Sequence, residues 1–128
     1  MPFAIAEPTV PGEILVIVSG EVSAKEMQQF MMAQRTGPER SSVFLVDISN
    51  AAISVSADDV LMVASTGARE ARKSPMGPVA FISTSPGPFG MARMFQAFSA
   101  AEGRPTVGVF RSLDDARAWV RSLPQKDA

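Results

Sequence analysis

The stretch that most restricts the fold runs from Val107 to Val120. The apolar run Val107-Gly108-Val109-Phe110 passes through Arg111 into Ser112-Leu113-Asp114-Asp115-Ala116-Arg117-Ala118-Trp119-Val120, a strand feeding directly into a helix. Ser112 and Asp115 have the spacing of a capping box, and both carboxylates fall in the first turn, where the helix dipole favours negative charge. Leu113, Ala116, Trp119, Val120 and Leu123 recur on one helical face. A strand and helix joined this closely pack on one another, so Phe110 and Trp119 are expected in the core.

The same alternation governs the rest of the chain. Ile14 to Val18, Val43 to Val46 and Val79 to Ile82 are near-continuous apolar runs, as strands covered on both faces must be, and helical segments separate them. Ser23-Ala24-Lys25-Glu26 opens a helix carrying Met27, Phe30 and Met31, which Gly37-Pro38 should end. Ser56-Ala57-Asp58-Asp59 opens a second, carrying Val60, Val63, Ala64, Gly67 and Ala71, with Ser74-Pro75 as its stop. A third begins near Pro88, shows Met91, Met94, Phe95 and Phe98 on one face, and meets Gly103 as its cap. Phe3 to Glu7, ahead of Pro8 and the Pro11-Gly12 turn, reads as an antiparallel edge strand. The expectation is an α/β fold in a single domain, residues 1–128, with a mostly parallel sheet of about five strands, an antiparallel edge strand and about four helices.

Composition narrows the function. Twelve Lys and Arg against 13 Asp and Glu leave a net charge of −1, so nucleic acid is an unsuitable partner. There is no cysteine, and hence no disulfide or thiolate metal site. The first residues lack a basic segment followed by a long apolar one, and the longest aliphatic run, Ile14 to Val18, falls well short of the roughly 20 residues of a membrane span. The expectation is a cytoplasmic protein. With no histidine, cysteine or tyrosine, a catalytic acid, base or nucleophile would have to come from Asp, Glu, Lys, Ser or Thr. Asp58, Asp59, Asp114 and Asp115 are better explained by first helical turns, and Arg69, Arg72 and Lys73 by a helix end. No catalytic residue, metal site or cofactor is expected.

Several segments together resemble the small bacterial SpoIIAA-like family, related to STAS domains. They are Ser19-Gly20-Glu21-Val22-Ser23, Leu45-Val46-Asp47-Ile48-Ser49, the run from Phe89 to Ala97, and Val109 to Trp119. The resemblance covers nearly the whole chain and implies a superhelical βαβ fold with a regulatory role. In the anti-sigma-factor antagonists of that family, a serine at the start of the second helix is a phosphorylation switch within Asp-Ser-Ser-Gly. Here the matching stretch is Ile53-Ser54-Val55-Ser56-Ala57-Asp58-Asp59, which lacks that context, and Ser56 is read as a helix cap.

Parallel strands leave their carboxyl ends on one edge, where open α/β sheets place their sites. Gly20, Asp47, Ser49, Asn50, Ser56, Ser85, Gly87, Gly90 and Arg93 should therefore gather there as the ligand- or partner-binding surface. Asp47 either binds a ligand from the strand end or caps the backbone of the loop Ile48-Ser49-Asn50. The loop from Ser83 to Gly90 could hold an anion or could merely aim the third helix, since Pro86 and Pro88 each remove a donor. Met32 and Met62 lie off the core stripes. The third helix is apolar over most of its circumference, with Arg93, Gln96, Ser99 and Glu102 as a polar stripe, so a homodimer through the second and third helices is expected. The leading reading is a non-catalytic regulatory or protein-interaction domain. The alternative is a small apolar or lipid-like ligand held against the third helix, with its polar end near Asp47, Ser85 or Arg93.

Overall fold

The computed structural model describes residues 3–6, 11–35, 42–73, 76–104 and 106–124. In chain order the elements are β1 (Phe3–Ile5), β2 (Glu13–Val22), α1 (Ala24–Arg35), β3 (Val43–Ile53), α2 (Ala57–Lys73), β4 (Val79–Ile82), α3 (Pro86–Ala101), β5 (Val107–Phe110) and α4 (Leu113–Ser122). The expected stops at Gly37-Pro38 and Ser74-Pro75, and the residues Glu7 and Pro8, lie outside the described residues.

The strands stand in sequential order β1-β2-β3-β4-β5, with β1 antiparallel to β2 and the other neighbours parallel. Right-handed crossovers between successive strands stepping in one direction place their helices on the same side. Accordingly α1, α2 and α3 share one face of the sheet. Alternation along the strands assigns Val16, Val18, Phe44, Val46, Phe81 and Val109 to that face, among the side chains of α1 to α3. Leu15, Leu45, Ala80, Ile82 and Phe110 point to the other face and meet α4 through Leu113, Ala116, Trp119 and Val120. Leu45 and Val16, one on each face, are completely buried, and such a side chain contributes about 1.5–3 kcal/mol.

Three helices begin with the serine caps expected from sequence, two of them as reciprocal exchanges. Ser23 Oγ accepts the Glu26 N–H at 3.1 Å while Glu26 Oε1 accepts the Ser23 N–H. Ser56 and Asp59 repeat this exchange, and Ser112 Oγ accepts from the Asp115 N–H. At the end of α3 the Gly103 and Arg104 N–H groups turn back to the carbonyls of Ala100 and Ser99. This is the Schellman arrangement, and Gly103 supplies the φ of +90° that it needs.

Phe110 and Trp119 pack together with ring centroids 5.4 Å apart, but each is half-buried rather than fully enclosed. A single helix on that face leaves their outer edges to solvent. The third helix also departs from expectation. Three of the four residues expected as its polar stripe find burial or partners instead: Ser99 is fully buried, Gln96 Nε2 donates to the Val107 carbonyl, and Glu102 Oε1 accepts from Ser65 Oγ, while Arg93 alone stays exposed. The exposed side of α3 carries Gly90, Arg93, Ala97, Ala100 and Ala101. The exposed large apolar residues of the helices are instead Met32 of α1 and Leu61 and Met62 of α2, at 43, 40 and 49%.

Candidate functional site

Sequence reading puts Asp47 just past a strand end, but the structure places it inside β3. It stands in register with Ile82, the last residue of β4, and with Ile17 of β2. Beyond this level β4 and β5 stop, while β2 and β3 continue together from Ser19 with Asn50 to Val22 with Ile53. The carboxyl edge is therefore a step. Its lower level carries the starts of α3 and α4, and its upper level carries the starts of α1 and α2.

A β-bulge marks the step. Ile48 and Ser49 together oppose Val18, one residue more on β3 than on β2. The Ser49 N–H displaced from the ladder is taken by Asp47 Oδ1 at 3.0 Å, which satisfies a backbone donor that would otherwise be lost. The extra residue also rephases the strand. Phe44, Val46 and Ile48 face α1 to α3, and after the bulge Ala51 and Ile53 face the same way, whereas strict alternation would have turned them to the opposite face. Asp47 thus does what its capping reading required, within a strand instead of a loop.

Ser49 then fastens the next loop. Its Oγ accepts the Thr84 N–H at 3.0 Å, and its carbonyl accepts from Ser85 Oγ at 2.8 Å. Ser83, completely buried, accepts the Ser85 N–H and donates to the Ser85 carbonyl. Ser85 caps α3 by backbone position only, with Pro86 in the first turn. The Phe89 N–H goes to the Ser85 carbonyl, and Pro86 and Pro88 have none. Among the N–H groups of residues 84 to 89, only that of Gly87 is not used in these bonds, so the loop aims α3 and has no cradle for an anion.

Around this clasp stand exposed groups: Thr84, Gly87, Gly90 and Arg93. Arg111, which sequence reading did not single out, lays its guanidinium 4.0 Å from the centre of the Phe89 ring, a cation–π contact. Phe89 and Arg93 are four residues apart on one face of α3, so the two arginines share one side of the lower step. Gly20, at φ +76° and exposed, belongs to the upper level. So does Ser56, which follows the end of β3 at Ile53, itself roughly 20 Å beyond Asp47 along the strand. The expected cluster is thus resolved into two groups: Asp47, Ser49, Ser85, Gly87, Gly90 and Arg93 below, Gly20, Asn50 and Ser56 above. Among the described residues no group of three or more Asp or Glu side chains is disposed to hold a metal ion.

No family model and no curated protein sequence matches this chain. Among solved structures it is similar to the anti-sigma factor antagonist SpoIIAA in its unphosphorylated form, at 12% identity over 94% of this chain and 99% of that one, with a TM-score of 0.58. It is similar also to an uncharacterized protein of the DUF3478 family from Shewanella loihica, at 17% identity over 92% and 93% of the two chains, again with a TM-score of 0.58. That protein is described as having a SpoIIAA-like fold. The present chain has the SpoIIAA-like fold.

Proposed function

We propose that this chain is a non-catalytic, regulatory protein-interaction domain that meets its partner on the lower step of the carboxyl edge. The observation that carries this reading is the serine clasp. Asp47, Ser49, Ser83 and Ser85 spend their polar groups on one another and on the backbone, so they hold Thr84, Gly87, Gly90 and Arg93 in a fixed, exposed array without offering a reactive group. A surface ordered in advance loses less entropy on association. Two of the carboxylates are engaged structurally, Asp47 on a backbone N–H and Asp59 in a helix cap. The role of SpoIIAA as an anti-sigma factor antagonist supports a protein as the partner. Ser56 serves as a cap in this reading, the near-zero net charge argues against nucleic acid, and the proposed compartment is the cytoplasm. No helix among the described residues is long and apolar enough to cross a membrane. A homodimer, if formed, is proposed to use Met32, Leu61 and Met62 in place of α3.

Site-specific photo-crosslinking in cells tests the reading. A photoreactive residue at Thr84 or Arg93 is expected to give one discrete protein adduct that is absent when the probe stands at Arg121, at the far end of α4. The same adduct from Arg121, or no adduct from Thr84 and Arg93, would contradict the proposal.

A further inference from the structure

On the face of the sheet that α1 to α3 cover, the buried side chains gather in two clusters instead of one. The first includes Val16, Val18 and Val46, and the second Val60, Val63 and Phe95. A partly enclosed cavity of about 120 Å³ is lined from both, by Val18, Val46 and Met27 of the first and by Val63, Phe95 and Met31 of the second. Its lining also includes Phe3 of the edge strand, whose ring stacks on that of Phe30 with centroids 4.4 Å apart.

An unfilled apolar void weakens a fold in proportion to its volume, because the lining atoms have no partners across the gap. Water does not repair that loss, since it needs several polar partners and these walls offer almost none. Apolar cavities of this size class stay dry and accept a benzene-sized molecule. Met27, Met31 and Met91, all in the lining, adapt their shape to an occupant more readily than branched side chains do. One charged residue reaches the lining, Arg104, and it already has a partner within the protein. The other lining side chains are apolar. Moving an ion out of water into such surroundings is costly unless it is paired and hydrogen-bonded, so an uncharged occupant is favoured over an ionised one. Asp47, Ser85 and Arg93, the groups expected to meet the polar end of a ligand, are not among the lining residues. The occupant therefore needs no polar end.

We propose that this cavity is a binding site for a small, uncharged, apolar molecule of about the size of benzene. The site lies between the sheet and its helices, apart from the exposed array on the lower step, and it stands independently of the protein-contact reading.

Titration of the intact chain with toluene, benzoate and benzylammonium, followed by the methyl resonances, tests the proposal. Toluene is expected to give saturable shifts of the Met27, Met31 and Met91 methyl signals and to leave Leu113 and Val120 on the α4 face without one. It should bind about a hundredfold more tightly than either ion. Val18→Phe, which fills the cavity, should abolish the toluene shifts. If that variant does not fold, the three-ligand series on the unaltered protein still decides. Binding of benzoate or benzylammonium as tight as that of toluene, toluene shifts retained in a folded Val18→Phe variant, or no saturable methionine shift with toluene at millimolar concentration would overturn the proposal.

Discussion

The two faces of the sheet are packed by opposite means. One helix packs closely on β3 to β5 and leaves the outer edges of Phe110 and Trp119 to solvent, whereas three helices cover the other face and leave an apolar cavity of about 120 Å³ beneath them. On the α4 face small opposes large: a Cβ on Gly108 would come within 2.6 Å of the Phe110 ring and 3.1 Å of Trp119, so the rings already fill that space. Arg117 then ties α4 to the start of β2 through a bidentate bond to Glu13, with Nη2 to Oε1 at 2.6 Å. Hydrogen bonding to Glu13 outweighs burial and holds the Arg117 guanidinium above its ordinary pKa. On the other face valines and phenylalanines meet the flexible side chains of Met27, Met31 and Met91, and the fit is looser. Complementarity of size, and not the number of helices, decides how well a sheet face is closed.

Substitutions can break this contrast, beginning with the most severe. Trp119→Ala should lower stability by about 3 kcal/mol in urea unfolding, because it empties most of the α4 face. A loss under 1 kcal/mol would show that the face is not packed as described. Adding a single methyl group separates the two faces further. Gly108→Ala should cost about 2 kcal/mol through overpacking. Val18→Ile, directed into the cavity, should be neutral or stabilise by about 0.5–1 kcal/mol, and equal costs at the two positions would erase the distinction.

Asp47→Ala should cost about 1–2 kcal/mol, since the bulged Ser49 N–H loses its acceptor. An unchanged melting temperature would mean that water replaces the carboxylate there. Ser56→Ala removes only a cap on the upper step and should cost about 1 kcal/mol, leaving crosslinking from Thr84 unaffected. The smallest effect belongs to Ser99, whose fully buried Oγ has no hydrogen-bond partner among the described residues. Ser99→Ala should be neutral or stabilise by a few tenths of a kcal/mol, because the desolvated hydroxyl contributes no bond. Destabilisation beyond about 1 kcal/mol would reveal a partner for that hydroxyl.

Much of the architecture is legible in local patterns. Capping boxes at Ser23, Ser56 and Ser112, apolar runs at strand centres and the glycine after α3 all act within a few residues, and the alternation of strand and helix leaves few topologies open. The site was harder to read because it depends on pairing at long range. Asn50 to Ile53 has the composition of a loop, and it becomes a strand because β2 continues beside it past a bulge. The only local hint of that bulge is Asp47 two residues before Ser49, a spacing that serves loops and strands alike. Arg111 is hard to read for the same reason, since its role depends on Phe89 of a neighbouring element, whereas Ser83 acts on Ser85 only two residues away, in a serine-rich loop where no one hydroxyl stands out. The polarity of α3 misled because Gln96, Ser99 and Glu102 find partners or burial inside, so a polar stripe did not mark the solvent side.

One face of the sheet retains an accessible apolar cavity of about 120 Å³ lined by Val18, Val46, Met27 and Met31, while on the other the rings of Phe110 and Trp119 fill the space beside Gly108. Xenon reports this most directly, since it enters apolar voids of this size without needing a polar contact. Methyl spectra of the protein under xenon pressure should show saturable shifts at Met27, Met31, Val18 and Val46, with Leu113 and Val120 on the α4 face unmoved. Shifts of similar size on both faces, or none at the methionines of α1, would contradict the account.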